Sequence, residues 1–200
     1  MSLDCRDVVQ KVTLHLSAHP NASLPIVAER LGIAGQIIED ALHEIEGISF
    51  KEFQANKRLE RAFHQLGERS TAVDGPYEMT RARRRLAIPK ATVKYRTPHF
   101  WNRNPSYSSQ CPLVDFSSEG LAFLVDEAPQ SPKHLSLLMK FPGEEEEVRA
   151  EGRVIYTVAT GIAGYRYRVG IQFLPFADQK GCNSPKTRET LVRIEKAYSS

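Results

Sequence analysis

Four arginines fall within five positions, at Arg81, Arg83, Arg84 and Arg85. Guanidiniums packed so closely repel one another unless anions sit among them. Each presents a planar fork of five donors that suits phosphate oxygens and the acceptor edge of guanine. Its flat face can also stack on a base. A solvated basic linker would show the same composition, so the run alone does not separate a binding segment from a spacer. A second cluster follows some thirty residues later, Asp115-Phe116-Ser117-Ser118-Glu119-Gly120. Asp115 and Ser117 stand two apart at a strand end and therefore share a face. The carboxylate can accept from the N–H groups of a guanine or hold an arginine. Gly120 admits a positive φ and a close approach of backbone. The plain alternative is a polar β-turn.

Taken together, the pattern is more specific. Arg81-x-x-x-Arg85, then Asp115-x-Ser117-x-x-Gly120-Leu121, then Val169-Gly170-Ile171-Gln172-Phe173 on a late strand resembles the PilZ domain. The resemblance covers roughly residues 78–198. It implies a six-stranded antiparallel barrel that binds the bacterial messenger cyclic di-GMP. Arg81 and Arg85 would be the pair gripping phosphates and guanine edges. Asp115, Ser117 and Gly120 would read a guanine and brace the arginines. Thr80, Arg84 and Gly170 are secondary candidates. Many family members carry a further arginine directly before the first of the pair, where Thr80 stands here. The resemblance ties that position to whether one ligand or a stacked pair is bound. Arg83 and Arg84 are near enough in sequence to substitute.

The elements that must position these residues show a change of period near residue 70. Val8, Val9, Val12 and Leu16 recur at helical spacing, and Pro20-Asn21 breaks the run. Ser23 caps a helix over Leu24–Leu31 with Pro25 in its first turn, and Gly32 stops it. A third helix is expected over Ala34–Glu46, ended by Gly47, and Ser49 with Glu52 forms a capping box for a fourth. Residues 67–80 are polar and contain Gly75-Pro76. The domains expected are therefore 1–68, helical; 69–80, a linker; and 81–200, the barrel. Tyr165 to Phe173 alternates strictly and marks the clearest strand. Shorter strands are expected over Ile88–Arg96, Cys111–Phe116, Leu121–Val125, Leu135–Phe141 and Val148–Thr157. Ser184 caps a terminal helix, Pro185–Tyr198. The fold class is α+β in two domains, a small all-α unit followed by the barrel and its C-terminal helix.

The second and third helices around Gly32 read as a helix-turn-helix. The stretch from Val12 to Leu66 resembles half of an AraC-type DNA-binding domain. The matching residues are Ala28-Glu29-Arg30-Leu31-Gly32-Ile33, Gly47 to Phe53, and Arg58 to Ala62. The candidate recognition helix carries Glu39, Asp40, Glu44 and Glu46 and no Lys or Arg, which opposes a polyanion. A protein-interaction or dimerisation module is the favoured reading. DNA binding is the lesser one, kept open by Lys51, Lys57, Arg58 and Arg61 on the fourth helix.

The remaining residues limit the function classes. Across 200 residues, 41% are hydrophobic and 26% charged, which is ordinary globular composition. No apolar run approaches the ~20 residues of a membrane helix, and Asp4 and Asp7 oppose a signal peptide. Three scattered cysteines, Cys5, Cys111 and Cys182, suit a reducing cytoplasm better than a disulfide scaffold. Residues 1–70 hold eight basic against ten acidic side chains, and residues 71–200 hold nineteen against fourteen, so the basic excess belongs to the barrel half. Glu144–Glu147 reads as a solvated hairpin tip, and Phe100, Trp101 and Tyr107 as loop packing. No metal spacing, nucleophile–base pair or Gly-rich phosphate loop stands out. The expectation is a cyclic di-GMP receptor that is not an enzyme, holds no cofactor or metal, and relays its signal to a protein partner. A homodimer is left open. The alternatives are a cyclic di-GMP-gated transcription regulator and a degenerate, protein-docking barrel that binds no nucleotide.

Overall fold

The computed structural model describes residues 4–69, 85–97, 106–129, 134–162 and 164–199. The expected linker 69–80 beyond its first residue, the candidates Thr80, Arg81, Arg83 and Arg84, and the aromatics Phe100 and Trp101 lie outside the described residues. The chain divides into two compact units, Met1–Ala62 and Phe63–Ser200.

Four helices form the first part: α1 (Cys5–Ala18), α2 (Leu24–Leu31), α3 (Gly35–Glu46) and α4 (Phe50–Arg69), the last running past the division. The Asp4 carboxylate caps α1 by accepting from the Arg6 amide at 3.0 Å. Gly32 and Gly47 end α2 and α3 in left-handed conformation, with φ of 65° and 70°, where a side chain would be strained. Ala34 is the N-cap of α3, so that helix begins one residue later than its sequence suggested. The capping box at α4 is present. Glu52 Oε2 accepts from the Ser49 amide at 3.0 Å and from its hydroxyl at 2.7 Å. Val8, Val12, Leu16, Val27, Ile38 and Leu42 close a core that Phe50 and Phe53 complete.

The second part is a closed antiparallel barrel. Its strands are β1 (Thr92–Arg96), β2 (Cys111–Ser117), β3 (Gly120–Val125), β4 (His134–Lys140), β5 (Val148–Ala159) and β6 (Tyr167–Phe173), in the order β1-β2-β3-β6-β5-β4. β1 starts four residues after the expected Ile88 because Lys90 takes a φ of 63° and turns the chain before the ladder begins. β6 starts at Tyr167, since the Tyr165 amide donates to Ile162 in the preceding turn. Inward residues such as Leu113, Phe123, Leu137, Val169 and Ile171 fill the interior. Helix α5 (Pro185–Tyr198) adds Leu191 and Ile194, both fully buried, to that same core. It is tied down by Arg193, whose two Nη atoms each donate at 2.7 Å to Glu144, and by the Tyr198 hydroxyl, which donates to the Pro142 carbonyl at 2.6 Å. The acidic hairpin is thus more than a solvated tip. Glu144 anchors α5, and Glu147 pairs with Lys94 at 3.2 Å. Among the described residues no helix is long and apolar enough to cross a membrane.

Candidate ligand-binding site

The direction in which Asp115 points is set by an irregularity in β2. Leu113 pairs with Phe123, yet Asp115 pairs with Ala122, so one residue is extra on the β2 side. Strict alternation would turn Asp115 inward with Cys111 and Leu113. The bulge shifts the phase by one, and Phe116 becomes the next core residue. Asp115 and Ser117 thereby face away from the core, side by side, as their spacing predicts. Both remain buried, at 8% and 4% exposure.

The chain then delivers Arg85 to the carboxylate. Leu86 bridges to Phe116, its amide donating to the Phe116 carbonyl at 2.8 Å and its carbonyl accepting from the Phe116 amide at 2.9 Å. This short ladder seats Arg85 beside Asp115, and Arg85 Nη1 donates to Asp115 Oδ1 at 2.7 Å. The other oxygen, Oδ2, accepts from Nη2 of Arg168 on β6. One carboxylate divided between two guanidiniums leaves a local charge of plus one and several unspent N–H donors. Such an arrangement offers a seat for an anion.

Ser117 serves the turn. Its hydroxyl donates to the Gly120 carbonyl at 3.3 Å and accepts from the Glu119 amide at 3.4 Å. The plain β-turn reading of this hexapeptide therefore holds for Ser117. Gly120 is needed for close approach rather than for a positive φ: an added Cβ would stand 2.1 Å from the Ile171 carbonyl oxygen on β6. Gly170 has a related cause. It pairs with Ala122 on one side and Tyr156 on the other, and a Cβ there would stand 2.1 Å from Cε1 of Tyr156, whose ring lies across the glycine.

Of the residues expected from sequence, Asp115, Ser117, Gly120 and Gly170 lie on the neighbouring strands β2, β3 and β6, and Arg85 is held beside Asp115 by the Leu86–Phe116 bridge. The sequence reading missed Arg168 and Tyr156. The alternation of Tyr165–Phe173 places Arg168 on the same side as Gly170 and Gln172, which was a usable signal. What sequence lacked was the strand order β2-β3-β6, which lets Arg168 reach across β3 to Asp115. Among the described residues no three His, Cys, Asp or Glu side chains cluster as for a metal.

The PilZ domain model matches residues 80–193, more than half of the chain. The protein belongs to the PilZ family. No curated protein matches it. Among solved structures it is similar to the motility inhibitor MotI/DgrA of Bacillus subtilis, at 12% identity and a TM-score of 0.40, covering 62% of this chain and 56% of that one. It is similar to YcgR of Escherichia coli in complex with c-di-GMP, at 16% identity and a TM-score of 0.44, covering 60% and 46%. It is also similar to PlzA of Borreliella burgdorferi in complex with c-di-GMP, at 12% and 0.33, covering 71% and 59%. The chain spans about half the length of these structures.

Proposed function

We propose that the protein is a cyclic di-GMP receptor. The messenger would bind where residues 81–85 enter the barrel, and the signal would pass to a protein partner through the helical unit. The observation that carries this reading is the Arg85–Asp115 pair on the outer face of a PilZ barrel. It joins the two separated sequence signatures in one place. Arg81 and Arg85 supply cation and donors for the phosphates. Asp115 and Ser117 would read a guanine edge and brace the arginines. Family membership favours a binding protein over an enzyme. A ligand can pass a signal only through its differential affinity for two states of the protein. The three cysteines, none of them in a disulfide, suit a reducing compartment such as the cytoplasm.

For the helical unit, a protein partner is favoured over DNA. On α3, Gln36, the side chain best suited to read a base, donates to Asp40 at 2.8 Å, and Glu39 accepts from the Phe50 amide at 2.9 Å. The helix also carries Glu44 and Glu46 and no Lys or Arg, which opposes a polyanion. On α3 Ile37 and Ile45 are both 41% exposed, and on α2 Ile26 is 49% exposed, as suits apolar contact with a protein. A salt-dependent gel shift on duplex DNA in the presence of the ligand would reverse that preference.

Isothermal titration of the full chain with cyclic di-GMP tests the receptor reading. Saturable binding that Arg85→Ala weakens by at least about tenfold is expected, since a charge-assisted contact is lost. The fitted ratio also decides whether Thr80 leaves the site with one ligand or two. No heat and no melting shift at high ligand would make this a protein-docking barrel instead.

A further inference from the structure

We infer that Arg168 is a third arginine of this site and donates directly to a phosphodiester oxygen of the bound dinucleotide. This rests on the receptor reading above and adds to it a residue that neither sequence signature contains. Three observations carry it. Arg168 and Arg85 share the Asp115 carboxylate, so two like charges are held close together. That placement is costly unless a further anion joins them. Second, Arg168 is only partly spent on Asp115. Its side chain keeps 35% exposure against 19% for Arg85, and its Nε–H is buried with no acceptor among the described residues. A guanidinium built solely as a brace would have its buried donor satisfied. Third, Arg168 stands on the barrel wall. It pairs with Leu124 of β3 on one side and Val158 of β5 on the other. Its backbone is fixed before any ligand arrives, which lowers the ordering cost of the contact.

The test is titration of the full chain with cyclic di-GMP at several salt concentrations, for the wild type, Arg168→Ala and Arg168→Lys. Arg168→Ala should weaken binding by about ten- to a hundredfold and flatten the dependence of log Kd on log salt. The melting temperature of the ligand-free protein should stay close to that of the wild type. Arg168→Lys should recover the salt dependence and only part of the affinity, because lysine keeps the charge and loses the fork. An affinity loss with unchanged salt dependence would reduce Arg168 to a brace for Asp115 and overturn the inference. So would full affinity in Arg168→Ala. No binding by the wild type would overturn the receptor reading together with this one, which separates the two failures.

Discussion

Asp115 spends one oxygen on Arg85 and the other on Arg168, so the residue expected from sequence to read a guanine braces two cations. The neighbouring glycines show how residue size keeps this face in shape. A Cβ at Gly120 meets backbone, the Ile171 carbonyl, which cannot move without breaking the β3–β6 ladder. A Cβ at Gly170 meets the far side of the Tyr156 ring, which can swing away. Gly120→Ala should therefore cost about 3 kcal/mol and Gly170→Ala about 1 kcal/mol, the two ends of the usual overpacking range. Urea denaturation of both variants gives the order. Equal losses would mean that the tyrosine is held as firmly as the backbone.

Among the elements, α4 owes its start to a side-chain exchange that the sequence announces. The Ser49 hydroxyl and amide both bond Glu52, and they hold the Glu52 carboxyl below its ordinary range. A lowered folded value means that the contribution is present above the unfolded carboxyl value of about 4.3 and is lost as pH falls through the folded one. Ser49→Ala should cost about 1 kcal/mol near neutral pH. The difference from wild type should shrink in acid, as read from denaturation midpoints across the acidic range. A gap that stays constant with pH would remove Glu52 from the cap. The bulge in β2 is the corresponding device in the barrel, because one extra residue decides which face receives Asp115.

At the level of the whole molecule, the two hydrophobic cores have no member in common among the described residues. Leu42 closes the helical core, while Leu191 of α5 completes the barrel's. Leu42→Ala and Leu191→Ala should each cost about 2–5 kcal/mol locally. Amide hydrogen exchange is the measurement that separates them, since opening is a property of cooperative parts of a structure. Leu42→Ala should speed exchange in α1–α3, and Leu191→Ala in the barrel strands. Loss of protection throughout the chain from either change would mean that the two cores unfold as one.

Much of this protein was legible before any fold was known. Helix and strand periods, glycine stops and capping residues are local signals. They located α1–α5 and six strands with errors of a few residues, because short-range sterics and hydrogen bonds set them. The two signatures around Arg85 and Asp115 were legible as residue types at a fixed spacing. The delayed start of β1 escaped notice because a positive φ at a lysine has no sequence mark. The order β2-β3-β6 and the bulge that turns Asp115 outward were decided only in three dimensions. Strand pairing depends on contacts between residues far apart in the chain. That is why Arg168, fifty-three positions from Asp115, meets its carboxylate only when the barrel closes.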